Sequence, residues 1–190
     1  MLLGSAVVVL GAGIVFYQSH CQALLTRFGQ SKSPALEERT AKACLLLPQP
    51  GVDLSQLSDL SAHALSLAGT NRVIQGDNIA WYKFAKGLAE FRLGHPQEAE
   101  NLLTNITKTG NPYRDAPVNV VLSMTAFRQG QTEKARAAFD KGAEIAKAQL
   151  PNPESNALGP HWGDVLVPYI LMREAKQIFE GGAAHVNKKD

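Results

Sequence analysis

An internal repeat over residues 78–147 constrains the fold of this chain more than any other sequence feature. Residues 83–103 (KFAKGLAEFRLGHPQEAENLL) align without a gap with residues 119–139 (NVVLSMTAFRQGQTEKARAAF), at an offset of 36 residues. The pairs that match in type are Phe91 with Phe127, Gly94 with Gly130, Ala99 with Ala135 and Leu103 with Phe139. A period near 34 residues with two helices per unit is typical of helical solenoids. The pattern therefore predicts an all-α solenoid of helical hairpins.

Each matched residue type has a physical role in such a hairpin. Gly87 and Ser123 are small where the first helix must approach the second. Gly94 and Gly130 stand between the two helices, where the turn needs a left-handed conformation that glycine adopts without strain. A single hairpin cannot bury its apolar face, so we expect successive hairpins to stack on one another.

Further helices are predicted on both sides of the repeat. Alanine and leucine dominate the apolar residues, which favours helix over strand. Apolar residues at helical spacing, together with capping, proline and glycine residues, predict four further helices. They cover residues 17–28, Pro34 to about Leu47, a segment that begins after a cap at Asp53 or Ser55, and residues 162–180. Pro168 is expected as a kink or in the first turn of the last helix. The last helix is expected to cap the stack. We thus expect an apolar segment 1–17, a repeat domain 18–180 and a flexible tail 181–190.

The N-terminal segment from Leu2 to Tyr17 carries no charge. As a helix it would span about 24 Å, slightly less than a typical hydrocarbon core. Three interpretations stay open, namely a membrane anchor, a buried first helix and a cleaved signal. The first basic residues, Arg27 and Lys32, follow the segment, so an anchor would keep the repeats in the cytoplasm at the inner membrane.

No cofactor or nucleic acid is expected as a partner. Gly11 and Gly13 resemble the start of a dinucleotide-binding GxGxxG turn, but Phe16 occupies the third glycine position and no second strand follows. The net charge of +2 is spread along the chain without a basic block, which argues against nucleic-acid binding.

The titratable residues do not suggest a catalytic site. Cys21 and Cys44 are expected to be buried reduced thiols, with a disulfide, or a zinc site completed by His20 and His63, as the alternatives. His95 is interpreted as a solvated turn residue and His161 as a capping or packing residue. Glu37 and Glu38 are interpreted as partners of the helix dipole. No GxSxG, HExxH or P-loop motif is present, so we expect no catalytic, cofactor or metal site.

The hairpin helices also carry polar residues that a binding partner could contact. In a stacked array the first helix of each hairpin lines a concave groove that accepts a peptide or helix. The candidate partner-binding residues are Lys83, Lys86, Glu90, Arg92, Asn119 and Arg128. Asn119 repeats the position of Lys83, and Arg128 that of Arg92. The expected function is protein binding, with a membrane-anchored scaffold and a cofactor-binding enzyme as the alternatives.

Several strings resemble a known class of repeat. Between about His20 and Glu180, the strings HCQALLTRFG, ERTAKACLLLP, FAKGLAEFRLG, EAENLL and REA resemble the C-terminal repeat region of large bacterial serine/threonine protein kinases, common in planctomycetes and verrucomicrobia. The hairpins also resemble tetratricopeptide repeats, which implies an all-α, tetratricopeptide-like helical-hairpin solenoid with a C-terminal capping helix. The chain departs from that pattern at Lys83 and Glu90, where aromatic residues are usual. It contains no glycine-rich loop with VAIK-type lysine, no HRD and no DFG. The resemblance thus implies an accessory module without phosphotransfer.

Overall fold

The structure is a computed structural model that describes residues 13–70, 78–106, 110–155 and 157–186. Over these ranges the chain forms eight helices and no strand, which confirms the predicted all-α class. The chain divides into two compact units, residues 1–109 and residues 110–190. The two repeated hairpins fall in different units. Their stacking on one another therefore stays a prediction.

The first unit contains five described helices. They are α1 (Ile14–Phe28), α2 (Pro34–Leu45), α3 (Leu54–Thr70), α4 (Ile79–Leu93) and α5 (Pro96–Thr104). Pro34 begins α2, where its fixed φ and missing N–H suit the first helical turn. Asp53 caps α3, because its Oδ1 accepts a hydrogen bond of 2.8 Å from the Ser55 backbone N–H.

The core of the first unit lies between α2, α3, α4 and α5. Helix α2 packs against α1, α3 and α4, and α4 packs against α3 and α5. The fully buried apolar side chains include Leu45, Leu57, Phe84, Leu88, Phe91 and Leu103. Gly87 is needed at the α4–α5 contact, since a Cβ atom there would lie 2.6 Å from Leu103 Cδ2.

The second unit contains three described helices. They are α6 (Pro112–Arg128), α7 (Thr132–Gln149) and α8 (Trp162–Val186). Asn111 caps α6 by accepting a hydrogen bond of 3.1 Å from the Tyr113 backbone N–H. Helix α8 packs against both α6 and α7, and the core includes Val118, Val120, Met124, Ala146 and Leu171.

The conformations predicted for the repeat glycines are confirmed. Gly94 ends α4 with φ 85°, and Gly130 occupies the same place after α6 with φ 74°. Both alanines that match in the following helices, Ala99 and Ala135, are buried. The left-handed turn and the buried alanine of each hairpin could therefore be predicted from the repeat.

Several boundaries differ from the sequence predictions. Helix α1 begins at Ile14, before the predicted Tyr17, and ends at the predicted Phe28. Helix α2 ends at Leu45, before the predicted Leu47. Helix α8 extends to Val186, so residues 181–186 of the predicted tail are helical. Pro168 lies inside α8, more than one turn after its start at Trp162.

The N-terminal segment falls mostly outside the described residues, which begin at Gly13. Predictions for residues 1–12, including the Gly11 turn, lie outside them as well. Helix α1 begins at Ile14, and Tyr17 is fully buried. In the part of the chain that the structure describes, no helix combines the length and apolarity needed to cross a membrane.

Candidate interaction site

Arg92 does not face solvent, although its helical position suggested a partner contact. Its side chain lies at the end of α4 and is only 9% exposed. Nε donates a hydrogen bond of 2.9 Å to the Leu45 carbonyl oxygen, and Nη2 donates one of 3.1 Å to the Leu46 carbonyl oxygen. The last carbonyls of a helix lack partners within the helix, and a cation there also opposes the negative end of the dipole. Arg92 therefore fastens the end of α2 to α4.

Glu90 lies at the centre of a buried polar network between α3 and α4. Its Oε1 lies 2.5 Å from Lys86 Nζ and accepts a hydrogen bond of 3.3 Å from the Ser58 hydroxyl. Its Oε2 lies 2.7 Å from His95 Nδ1. Burial raises the pKa of Glu90, but the hydrogen bonds from Lys86 and His95 outweigh burial and hold the pKa below its ordinary value.

The contact between Ser58 and Lys86 superficially resembles a nucleophile–base pair. Lys86 Nζ donates a hydrogen bond of 2.7 Å to the Ser58 hydroxyl and one of 3.4 Å to the Ser58 carbonyl oxygen. With the Glu90 carboxylate as the third partner, all three ammonium hydrogens are engaged. The network therefore serves to hold α3 against α4.

Replacing Glu90 by glutamine is expected to weaken the acid dependence of folding. The pKa of Glu90 is lowered in the folded chain, so its stabilising contribution is fully present above the ordinary value of 4.5 and is lost as pH falls through the lower folded pKa. The Glu90→Gln variant should be less stable at pH 7, and its stability should fall less steeply below about pH 4.5. Urea unfolding at a series of pH values, followed by Trp81 fluorescence, measures both effects. Glu98→Gln, at an exposed position of α5, is the control. If the stability of Glu90→Gln fell with pH as steeply as that of the unsubstituted chain, the stabilising role of the Glu90 carboxylate would be rejected.

A second buried carboxylate, Glu37, also binds an exposed histidine. Glu37 is only 2% exposed, and its Oε2 lies 2.9 Å from Nδ1 of His63 on α3. The neighbouring Glu38 lies 3.0 Å from Lys42 Nζ, one turn along α2. Both glutamates were interpreted from the sequence as first-turn partners of the helix dipole, and Glu37 lies in the first turn of α2. Each carboxylate is also buried against a basic side chain, which the sequence did not indicate.

The remaining candidate residues differ in accessibility. Asn119 is buried, and its side-chain amide donates a hydrogen bond of 2.7 Å to the Asp115 carbonyl oxygen, within α6. Lys83 is partly exposed on α4, and Arg128 is exposed at the end of α6. Of the six candidates, Lys86, Glu90, Arg92 and Asn119 are thus engaged inside their own units. Lys83 and Arg128 keep the accessibility that a partner contact requires.

A partly exposed aromatic cluster in the second unit includes Phe127, the residue before Arg128, and sequence analysis did not predict it. The ring of Phe179 on α8 lies 5.0 Å from the ring of Phe127 and 5.7 Å from that of Phe139, measured between centroids. All three side chains are partly exposed. At the equivalent positions of the first hairpin, Phe91 and Leu103 are fully buried. The sequence showed that Phe127 and Phe139 match Phe91 and Leu103 in type. It did not show that Phe127 and Phe139 would be partly exposed, because their exposure depends on how α8 packs.

The zinc site considered from the sequence is not assembled. Cys21 and Cys44 are buried free thiols, as predicted, while the His63 side chain binds Glu37. Across the described ranges, no group of three or more His, Cys, Asp or Glu side chains is arranged to hold a metal ion.

No protein-family model matches the chain, and no curated protein or solved structure matches it either. The fold defines it as an all-α protein whose two units each contain one copy of a repeated helical hairpin. The partly exposed group of Phe127, Phe139 and Phe179 is called here the aromatic cluster, and the exposed Arg128 directly follows Phe127 in the sequence.

Proposed function

We propose that this chain is a non-catalytic protein–protein interaction module built from tetratricopeptide-like helical hairpins. The observation that carries the proposal is the shared geometry of the two hairpins. Each has a left-handed glycine after its first helix, Gly94 or Gly130, and a buried alanine early in its second, Ala99 or Ala135. Hairpins of this type are the units of solenoids that bind peptides and helices.

The aromatic cluster is the proposed partner-binding surface. Aromatic and arginine side chains dominate the residues that carry binding energy at protein interfaces. Three helices present apolar area through Phe127, Phe139 and Phe179. Arg128 directly follows Phe127 in the sequence and adds a guanidinium group. The partner that fits this surface is a short helical segment that carries apolar anchor residues and a carboxylate. Arg92, at the equivalent position of the first hairpin, is engaged with α2 and is no longer part of the proposed site.

Replacing Arg128 by glutamate should weaken peptide binding by about 30-fold, the effect typical of a central interface residue. The probe is a set of helical peptides selected on the full chain from a display library, with affinities measured by fluorescence anisotropy. The matched control is Lys141→Glu, an equal charge reversal at an exposed site of α7 that points about 200° away from Phe139. Equal binding by the two variants, or a library that yields no peptide, would refute the surface.

We also propose, as the context of this module, a bacterial serine/threonine kinase-type signalling protein in the cytoplasm. The support is the string resemblance between His20 and Glu180, with ERTAKACLLLP as its most specific part. The genomic sequence directly upstream of the codon for Met1 tests this proposal. An in-frame kinase domain there would support it, and an unrelated reading frame would count against it.

A membrane-anchored scaffold is the second candidate, and the start of α1 favours it. Ile14, Val15 and Phe16 are 42%, 66% and 65% exposed, and residues 2–12 before them carry no charge. Apolar side chains exposed in series are a feature of surfaces that meet lipid or protein. Fractionation of cells that express the chain with and without residues 1–13 separates the two candidates. The truncation stops before Tyr17, because that residue belongs to the core.

A further inference from the structure

Two buried cysteines face each other across the contact between α1 and α2. Cys21 and Cys44 are both free and 0% exposed. Cys44 Sγ lies 3.9 Å from the backbone oxygen of Cys21 itself. The two thiols therefore meet although 23 positions separate them in the sequence. No other interaction of the first unit described above depends on either sulfur atom.

Helix α1 is the peripheral helix of the first unit. Among the described helices, α2 is the only one with which α1 makes more than minor contacts. Its outward side chains, including Gln22, Ala23 and Thr26, are exposed. Peripheral elements with few buried contacts open locally at a small fraction of the cost of global unfolding. Local opening of α1 would bring both thiols to solvent while the core between α3, α4 and α5 stays closed.

We propose that Cys21 and Cys44 form a redox-active dithiol that a hydroperoxide converts to a reversible disulfide, which then staples α1 onto α2. This inference does not depend on the proposed partner binding. A surface cysteine would expose a thiol permanently, whereas this pair reacts only when α1 opens. The fully buried pair thus couples oxidation to the mobility of one helix.

The reaction balances with the hydroperoxide as the two-electron oxidant. The Cys21 thiolate attacks the outer peroxide oxygen, the O–O bond breaks, and the leaving oxide takes the thiol proton to give, with hydrogen peroxide, one water and a sulfenic acid. The Cys44 thiolate then attacks the Cys21 sulfur, and the departing hydroxide takes the Cys44 proton as the second water. Two thiols lose two electrons, and a thiol reductant returns them.

The contact between the thiols also distinguishes their roles. The interaction with the Cys44 thiol lowers the pKa of the Cys21 thiol against the opposing effect of burial. The same thiol–thiol interaction, together with burial, raises the pKa of Cys44. The thiolate is the nucleophile in these reactions. These directions agree with the position of Cys21 on α1, the helix that opens, so we assign Cys21 as the attacking residue and Cys44 on α2 as the resolving residue.

Titration of the purified full chain with hydrogen peroxide tests the proposal. After denaturation, alkylation with a maleimide should label two thiols before oxidation and none afterwards, with both returning after treatment with dithiothreitol. Peptide mapping should show Cys21 joined to Cys44 within one chain. Amide hydrogens of α1 should exchange at least about ten-fold more slowly in the oxidised chain, because the staple suppresses local opening.

Single-cysteine variants separate the two roles. In Cys44→Ala, peroxide should carry Cys21 past the sulfenic acid to higher oxides, and no disulfide should form. If this variant fails to fold, the labelling of the unsubstituted chain still decides the matter. The proposal is overturned if both thiols are still alkylated after the folded chain has been treated with peroxide and then denatured. It is also overturned if oxidation joins separate chains, or if the disulfide forms only at urea concentrations above the unfolding midpoint.

Discussion

Replacing Arg92 by glutamate is expected to unfold the first unit, whereas the same replacement at Arg128 should leave the second unit folded. The two arginines occupy equivalent positions of the repeat, but Arg92 is 9% exposed and Arg128 is exposed. Arg92→Glu removes two charged hydrogen bonds and places a carboxylate against the carbonyl oxygens of Leu45 and Leu46. Loss of one partner of a buried charged contact costs about 3–5 kcal/mol, much of the stability of a small domain. A surface charge reversal changes stability by less than about 1 kcal/mol.

The two tryptophans allow each unit to be followed separately. Trp81 lies in the first unit and Trp162 in the second, and the chain contains no other tryptophan. Urea unfolding of Arg92→Glu in a Trp162→Phe background therefore reports the first unit through Trp81 fluorescence. The complementary Trp81→Phe background reports Arg128→Glu. A midpoint for Arg92→Glu close to that of its parent would show that the contacts to α2 do not hold the unit together.

Replacing Gly87 by alanine is expected to destabilise the first unit, although alanine is the better helix former. The added Cβ would lie 2.6 Å from Leu103 Cδ2 and 2.7 Å from Leu103 Cγ, so α4 and α5 must separate or Leu103 must leave its rotamer. Overpacking of this kind costs about 1–3 kcal/mol. Leu103→Ala alone should cost about 2–5 kcal/mol through the cavity it leaves. The double variant should cost at least about 1 kcal/mol less than the two single changes together, because the new methyl group enters that cavity.

A second glycine provides the control for this cycle. Gly69 lies in α3, and a Cβ there would meet no atom within 4 Å. Gly69→Ala should therefore be neutral or stabilise the unit by up to about 1 kcal/mol through helix propensity alone. Unfolding free energies of all four variants, measured through Trp81, give the coupling between Gly87 and Leu103. Simple additivity would mean that the two residues do not touch.

The sequence predicted what local chemistry determines. Pro34 fixed the start of α2, and the aligned Gly94 and Gly130 indicated two left-handed turns, because only the residues within each turn decide its conformation. The small residue at Gly87 indicated a close helix contact for the same reason. The end of α8 was predicted too early, since Gly181 in a helix is tolerated once the preceding turns are packed.

The sequence did not predict which polar side chains would be buried. Arg92 and Arg128 share a repeat position and a neighbouring phenylalanine, yet Arg92 is buried against α2 of its own unit and Arg128 is exposed. The contacts of Glu37 with His63 and of Arg92 with Leu45 join residues 26 and 47 positions apart. Helical periodicity shows which face of a helix is apolar, but it does not show which neighbouring helix will lie against its polar edge. Candidate binding residues chosen by face alone were therefore mostly structural.

The end of α2 also has a consequence for how the first unit folds. The Tyr17 hydroxyl donates to the Ala43 carbonyl oxygen across 26 positions, and Arg92 reaches the Leu45 carbonyl oxygen across 47. Side chains from α1 and α4 thus donate hydrogen bonds to the carbonyl oxygens of the same short stretch at the end of α2. In linear repeat arrays each unit contacts only its neighbours, so segments can form one after another. Here the carbonyl oxygens at the end of α2 gain these hydrogen bonds only after the chain has closed two long loops. We therefore expect slower and more cooperative folding than in an assembly that forms hairpin by hairpin.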